Sequence, residues 1–301
     1  GLRNRRTKRQ GLLAVLPRLC HIASRKCFLM KYARLLVSGQ PHYALQKEDG
    51  YHLLRGGLTD PPQETGAVVS FEDAKLLPPC TPSKIIAVGL NYADHAKEMQ
   101  LPIPDFPALF YKPVSAVIGP LDTIIMPPMA KQVDYEGELA FVIGKEASYV
   151  EESKAGDYIF GYTCLNDVTA RDLQKLDSQW TRAKGFDTFC PIGPVIETDV
   201  GTGPLHIETR LNGVVKQDSS TKQLIFPPER LVYLLSQIMT LLPGDVITTG
   251  TASGIGPMQA GDCVEVEIEH IGILKNSSGR QPALAKSGAN RTGNLRRVRV
   301  P

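Results

Sequence analysis

Short apolar runs separated by turn residues dominate the chain, and they predict strands more than long helices. Between residues 31 and 57 the runs are YARLLV, HYAL and YHLL, and the turn clusters between them are SGQP, KEDG and RGG. This alternation is typical of a small strand-rich module. A proline-rich stretch, LLPPCTPS, follows at 76–83 and marks a joint before the next strand, KIIAVG.

The rest of the chain continues the strand pattern and contains one clear helix. The runs LAFVIG and DYIFGYTCLND predict buried strands, while VEVEIE alternates strictly, as expected for a strand with one solvated face. In PERLVYLLSQIMTL the apolar positions Leu231, Leu234, Leu235, Ile238 and Met239 recur at helical spacing. Prolines directly before this pattern suit a helix start. The sequence therefore predicts a mainly β, α+β chain.

Charge divides the chain into a body and two ends. Residues 1–29 hold eight Lys/Arg and no acid, and residues 278–301 hold six and no acid, which leaves 20 basic and 31 acidic groups in residues 30–277. An acidic body argues against nucleic acid as the main partner. No apolar run approaches the roughly 18 residues that a membrane span needs, so we expect no membrane association.

These patterns predict four segments. A basic unstructured extension covers 1–29, a small N-terminal domain 30–79, a larger domain 80–277, and a basic unstructured tail 278–301. The first segment is rich in arginine and free of acids, which fits either an extension ahead of a start at Met30 or an organelle transit peptide. The six cysteines form no CxxC pair, so we expect a reduced, cytoplasmic protein.

The segment DYEGE, residues 134–138, holds the strongest candidate chemistry. On a strand, Glu136 and Glu138 would project from the same face, with Asp134 beside them. Adjacent like charges are costly unless a cation joins them, and hard divalent cations such as Mg²⁺ take oxygen ligands of this kind. The segment alone supports the solvated face of an edge strand equally well. Asp167 could be a third ligand or a helix N-cap, and taken alone it favours the cap.

Two further groups of residues could assist a reaction. His95 and Glu98 are neighbours on a short predicted helix, where the carboxylate could make the imidazole a general base or form an incidental surface ion pair. Taken alone, the pair favours the surface interpretation. Lys112 and Lys184 lie in apolar, proline- and glycine-punctuated segments. Each could meet an anionic substrate, or could extend over apolar neighbours towards solvent.

Six segments together resemble the fumarylacetoacetate hydrolase family. They are, in the order in which that family has them, GLNYADHAKEM, LFYKP, DYEGELAFVIGK, GYTCLNDVTARDLQK, WTRAKGFDTFCPIGP and LLPGDVITTGTASGIGP. The resemblance covers about residues 80–275, and the 30–80 module is similar to the small N-terminal domain of bacterial members. It is strongest to proteins described as 2-hydroxyhepta-2,4-diene-1,7-dioate isomerase or acylpyruvate hydrolase.

The resemblance implies a fold, a cofactor and a site. The fold would be a mixed β-sheet roll, usually dimeric, with one Mg²⁺ or Mn²⁺ per subunit. The implied metal ligands are Glu136, Glu138 and Asp167. The implied catalytic residues are His95, Glu98 and Lys184, and the implied substrate contacts are Lys112, Gln174 and Thr251.

The resemblance also implies a reaction. We expect hydrolysis of a C–C bond in a 2-oxo or β-diketo acid, such as an acylpyruvate, through an enolate that the metal stabilises. Isomerisation of 2-hydroxyhepta-2,4-diene-1,7-dioate and oxaloacetate decarboxylation are alternatives, because they share that enolate. Leu90 stands where many relatives have a basic residue, and Ala252 replaces the proline of the family's TGTP. Both departures affect the expected substrate more than the expected metal.

Two other classes of function compete with these reactions. A homologue that binds metal without catalysis is disfavoured by the intact His95–Glu98 pair. A nucleic-acid-binding protein that uses the basic ends is disfavoured by the acidic body.

Overall fold

The computed structural model describes residues 30–280 of the 301-residue chain, so the predictions for 1–29 and for residues after 280 lie outside the described residues. The strands are β1 (Lys31–Val37), β2 (Gln40–Lys47), β3 (Gly50–Arg55), β4 (Gln63–Val69), β5 (Ile85–Gly89), β6 (Ala108–Lys112), β7 (Val117–Ile118), β8 (Thr123–Met126), β9 (Val133–Tyr135), β10 (Gly137–Ile143), β11 (Ile159–Asn166), β12 (Thr169–Ala170), β13 (Cys190–Glu197), β14 (His206–Leu211), β15 (Val214–Ser220), β16 (Val246–Thr251), β17 (Gly256–Pro257), β18 (Cys263–Ile268) and β19 (Gly272–Arg280). The α-helices are α1 (Ala93–Glu98), α2 (Arg171–Leu176), α3 (Thr181–Lys184) and α4 (Pro228–Ser236), and short 3₁₀ helices cover Val114–Ala116, Glu152–Tyr158 and Thr221–Gln223. The chain is mainly β, as predicted.

The described strands form three sheets, of which the two larger ones are mixed. The largest runs β4-β3-β2-β1-β13-β11-β10-β16-β5-β6, with β7 paired to β13 off this path. A second sheet runs β15-β14-β18-β19-β8, and a small third sheet runs β12-β9-β17. Most pairs are antiparallel, while β5 with β16, β7 with β13 and β8 with β19 are parallel. The N-terminal strands therefore continue the large sheet, through the pairing of β1 with β13.

The large sheet curls around one apolar cluster, which makes the predicted roll. Eight of its strands each contribute a buried side chain to this cluster: Tyr32, Leu45, Leu54, Ile85, Ala140, Leu165, Ile192 and Val246. Strands that are distant in the sheet order can share one core only if the sheet bends back on itself. The roll therefore buries both faces of its central strand β10, in which every residue is buried.

The outer face of the roll is covered in two places. Leu139 of β10 packs with Ile207 and Val266 of the second sheet. Phe141 and Ile143 pack instead with the buried face of α4. This double burial explains why LAFVIG is a continuous apolar run. The candidate carboxylates Glu136 and Glu138 lie at the start of this strand and are buried with it.

Two predicted boundaries are wrong. Helix α4 ends at Ser236, and Ile238, which the periodicity placed on the buried face, is 53% exposed. The predicted tail from 278 is also wrong for its first three residues, because β19 extends to Arg280 and pairs with β8. The backbone N–H of Ser278 donates to the Asp262 carbonyl at 2.8 Å. Within residues 30–280, every helix lacks the length and apolar character needed to cross a bilayer.

Candidate active site and metal centre

Three buried carboxylates converge where neighbouring strands of the roll have their ends. Ligand atoms of Glu136, Glu138 and Asp167 all lie within 4.8 Å of one another. Glu136 is the single residue between β9 and β10, Glu138 is the second residue of β10, and Asp167 directly follows β11. The structure thus brings together the three residues predicted as metal ligands.

The backbone fixes this arrangement. Strands β10 and β11 are paired with Gly137 opposite Asn166. Across that pair the N–H of Asp167 donates to the Glu136 carbonyl at 2.8 Å, and the N–H of Glu136 donates to the Asn166 side-chain oxygen at 2.9 Å. Asp167 is therefore held by strand pairing. The alternative that Asp167 caps a helix is wrong, because α2 begins four residues later, after Ala170.

Three cations surround two of the three carboxylates. Lys184 donates to Glu136 at 2.7 Å and to Asp167 at 2.6 Å. Lys112 donates to Asp167 at 2.6 Å from the opposite side. Arg171 bridges Glu136 and Asp134, with its Nε 2.8 Å from the Asp134 carboxylate. The cluster is a buried ion network, in which each cation also restricts the carboxylate that it contacts.

Glu138 differs from its two neighbours because no lysine or arginine of the described residues pairs with it. Its Oε2 accepts hydrogen bonds from the Thr248 hydroxyl and from the Gly250 N–H, the latter at 3.0 Å. Burial raises the pKa of Glu138 well above its usual value, and the charges of Asp167 and Glu136 raise it further. Burial also acts to raise the pKa of Glu136, but Lys184 and Arg171 outweigh it and lower that pKa to about 2.

The donor set fits a hard divalent cation. The buried groups are four carboxylates, Asp134 included, against three cations, so the ionised network has one negative charge in excess. Buried charges without partners are costly, and a cation bound among the carboxylates would remove the excess. Carboxylate oxygens are the ligands that Mg²⁺, Mn²⁺ and Ca²⁺ take in proteins. The triad can therefore hold a divalent metal ion.

Helix α1 places the predicted dyad beside the triad. His95 Nδ1 lies 2.8 Å from Glu98 Oε2, and the other Glu98 oxygen accepts a 3.1 Å hydrogen bond from the Gly254 N–H. Asp94 accepts from the His95 N–H at 2.7 Å and from the Ser219 hydroxyl at 2.5 Å. These contacts fix α1 against the rest of the fold from two directions, and they orient the imidazole.

A cavity of about 250 Å³ joins the triad to the dyad. Its polar lining consists of the three carboxylates, His95, Arg171, Gln174, Lys175, Lys184 and Thr251. Its apolar wall includes Leu90, Met99, Phe110 and Trp180, of which the last two rings meet edge to face at 5.3 Å. Glu98 contacts His95 but does not itself line the cavity. All other residues predicted for the site, except Lys112, line this cavity.

Lys112 requires a correction. The prediction that it contacts substrate does not agree with its position, because it is 1% exposed and lies behind Asp167. Its amine donates to Asp167 and, at 2.7 Å, to the Lys184 carbonyl. It therefore orients Asp167 and the end of α3 from beneath the cavity. The surface alternative for Lys112 is equally wrong, since the side chain is fully buried.

Sequence reasoning missed two residues that hold the site. Arg171 received no predicted role, although its position three residues before Gln174 on α2 places both on one face. Gln217 of β15 accepts from the Gly137 N–H at 2.9 Å and donates to Thr251 Oγ1 and to the Ala252 carbonyl, both at 2.8 Å. No sequence feature marked Gln217, because its strand, VVKQDSS, has no alternating apolar pattern and is mostly exposed.

Gly137, between the two glutamates, is expected to tolerate no side chain. A Cβ there would overlap Thr209 Oγ1 and would lie 3.3 Å from Gln217 Oε1. Gly137→Ala should therefore lower the free energy of unfolding by about 1–3 kcal/mol and weaken metal binding, because the backbone that carries both glutamates must move. Denaturant unfolding and Mg²⁺ titration check this. Gly203→Ala is the control, since a Cβ there meets nothing within 4 Å. Wild-type values for both variants would contradict the expectation.

Comparisons with known proteins agree with this architecture. Residues 84–277 match the family described as fumarylacetoacetate (FAA) hydrolase C-terminal, and residues 30–79 match a family described as Rv2993c-like, N-terminal. An uncharacterized protein of Archaeoglobus fulgidus is 57% identical over 213 residues, which are 71% of this chain and 85% of that protein.

Several relatives have names that describe a reaction, and two of them serve as examples. The mitochondrial oxaloacetate tautomerase FAHD2A of Bos taurus is 43% identical over 213 residues, which are 67% of this chain and 68% of that protein. The crystal structure of a 5-carboxymethyl-2-hydroxymuconate delta-isomerase from Mycobacterium smegmatis is similar at a TM-score of 0.79 and 42% identity, covering 84% of this chain and 100% of that one.

Proposed function

The chain belongs to the fumarylacetoacetate hydrolase family, and from that premise we propose that it catalyses proton transfer on a small 2-oxo acid, interconverting keto and enol forms. The observation that supports this most directly is the His95–Glu98 dyad, which lies on the same cavity as the carboxylate triad. We assign the cofactor as Mg²⁺ or Mn²⁺, held by Glu136, Glu138 and Asp167. When bound, this cation polarises the 2-oxo group and offsets the negative charge that develops on its oxygen.

His95 is the residue that moves the proton in this proposal. Because Nδ1 is engaged by Glu98 at 2.8 Å, Nε2 is the ring nitrogen left to exchange a proton with the substrate. It takes a proton from the carbon next to the 2-oxo group. The electron pair of that C–H bond forms the C=C bond of the enol, the π pair of the C=O bond moves to oxygen, and that oxygen is protonated in return. The Glu98 carboxylate stabilises the imidazolium that forms.

The remaining cavity residues orient the substrate. Lys184 lies between Glu136 and Asp167, where its ammonium can also meet the substrate's carboxylate or developing oxyanion. Thr251 and Gln174 add a hydroxyl and an amide to the lining of the cavity. At about 250 Å³ the cavity is smaller than the pockets of about 300–1,000 Å³ that take drug-sized ligands. We therefore propose a substrate of few carbon atoms.

Hydrolysis of an acylpyruvate is the second candidate. The same dyad that moves a proton from carbon could take one from water, and the apolar wall formed by Phe110 and Trp180 could accommodate an acyl group. The named relatives, an oxaloacetate tautomerase and a delta-isomerase, support proton transfer as the first candidate. Decarboxylation of oxaloacetate remains an alternative at the same site, because it also forms an enolate.

Exchange with deuterium separates these candidates. Purified protein with Mg²⁺ is incubated in D₂O with oxaloacetate, and separately with acetylpyruvate, while ¹H NMR follows both acids. Proton transfer predicts accelerated loss of the C3 protons of oxaloacetate before any pyruvate accumulates. Acetate and pyruvate formed from acetylpyruvate, without accelerated exchange of oxaloacetate, would replace the first candidate by the second. Neither signal above the Mg²⁺ blank would contradict both.

A further inference from the structure

The cations on the cavity lining are not equivalent. Arg171 and Lys184 both donate to carboxylates of the buried network, so their charges are already balanced. Lys175 also lines the cavity, but no carboxylate of the described residues forms an ion pair with it. It is an exposed residue of α2 and lies at the rim of the cavity. Its ammonium is therefore available to a ligand.

The neighbouring residue adds a second donor to the same rim. The side-chain oxygen of Gln174 accepts from Arg171 Nη1 at 2.6 Å, which fixes the amide with its NH₂ group opposite. That NH₂ group has no acceptor among the described residues. Lys175 and Gln174 thus present an ammonium and an amide from consecutive positions, and this pair of donors suits a carboxylate.

The charge of the cavity favours the same ligand. With a divalent cation bound, the buried network of four carboxylates and three cations would have an excess of one positive charge, and Lys175 adds another at the rim. A dicarboxylate neutralises both charges, whereas an acid with an uncharged tail leaves one unbalanced. The apolar lining residues Met99, Phe110 and Trp180 have no charge to offer a second carboxylate.

We propose that Lys175, assisted by Gln174, binds the carboxylate of the substrate that is remote from the reacting 2-oxo group, so that the enzyme selects dicarboxylic 2-oxo acids over acids with an uncharged tail. This inference rests on the proposed function. Lys175 is accordingly a specificity-determining residue. The 2-oxo acid end lies at the triad and Lys184, and the remote carboxylate lies at the rim on α2.

Kinetics with two substrates test the role of Lys175. For Lys175→Gln, KM for oxaloacetate should rise about fivefold to twentyfold, while KM for acetylpyruvate, which has an uncharged tail, stays within about twofold. Added salt should raise the wild-type KM for oxaloacetate and have little effect on that of the variant. Lys222→Gln is the control, since Lys222 is exposed, forms no ion pair within residues 30–280 and does not line the cavity. Equal changes for both substrates, or no change, would overturn the proposal.

A binding experiment keeps this test independent of turnover. Calorimetry in Mg²⁺ compares malate with 2-hydroxybutyrate, which has the same number of carbon atoms but one carboxylate. Weaker binding of malate alone in Lys175→Gln supports the proposal, and equal weakening of both acids, or no weakening, contradicts it. If the wild-type protein binds malate but turns over neither oxo acid, the proposed reaction fails while the role of Lys175 is still decided.

Discussion

Glu138→Gln is expected to abolish Mg²⁺ binding and metal-dependent turnover while the metal-free protein stays at least as stable as the wild type. Glu138 is buried among like charges, and no lysine or arginine of the described residues compensates it. Glutamine preserves the side-chain shape, and its carbonyl oxygen can still accept from Thr248 and Gly250. The variant therefore removes repulsion and one ligand together. Metal affinity should fall by more than the about 10- to 100-fold caused by loss of an outer-shell partner.

Asp167→Asn provides the contrast. It also removes a ligand, but it takes away the negative charge that compensates the buried ammonium groups of Lys112 and Lys184. Breaking a buried pair from one side costs about 3–5 kcal/mol, so this variant should lose both metal and stability. Calorimetric Mg²⁺ titration and urea unfolding in EDTA distinguish the two variants. Near-wild-type Mg²⁺ affinity in Glu138→Gln would remove Glu138 from the ligand set.

His95→Ala is expected to lower keto–enol interconversion by about 10²–10⁴-fold, and acylpyruvate hydrolysis similarly if the enzyme catalyses it, with unchanged metal content. Both reactions need a base at the same place, whereas loss of CO₂ from oxaloacetate needs no base. Any decarboxylation should therefore fall less. Glu98→Gln should give a smaller loss than His95→Ala, because the amide can still hold the imidazole but no longer balances its positive charge.

All three activities and the metal content are measured on the same preparations. Equal losses in every reaction at unchanged metal occupancy would contradict a separate role for His95 as the base. Such losses would indicate that α1 acts as a lid whose closed position all the reactions require. The contacts of Asp94 with Ser219 and of Glu98 with Gly254 would then be the first to examine.

The sequence predicts the strands and the positions of the site residues because both depend on local pattern. A continuous apolar run after Glu136 and Glu138 indicates a strand buried on both faces, and that burial excludes the solvated alternative for the two glutamates. The position of Asp167 was predictable for the same reason, because this residue directly follows the apolar run that forms β11. Pairing of β10 with β11 then brings these strand ends together.

Residues that depend on distant contacts could not be predicted in the same way. Lys112 looked like a substrate contact because only tertiary packing shows that it lies beneath Asp167. Gln217 is 80 residues from the glycine that it supports, on a strand of another sheet. The end of α4 was missed because apolar spacing continues past Ser236, although the chain has already left the helix. The sequence likewise does not show how the negative charge of the carboxylates is compensated, because Arg171 and both lysines come next to the triad only in the folded chain.

Metal rescue on the wild-type protein and on Glu138→Gln shows whether the carboxylate triad holds a catalytic cation. Purified protein is stripped with EDTA, Mg²⁺ is titrated back, and the enol absorbance of oxaloacetate is followed at each concentration. Before Mg²⁺ is added, we expect no rate above the protein-free Mg²⁺ blank. Titration should then restore activity saturably in the wild type and should restore none in Glu138→Gln. Full activity of the stripped wild-type protein, or equal rescue of both proteins, would contradict a catalytic cation held by Glu136, Glu138 and Asp167.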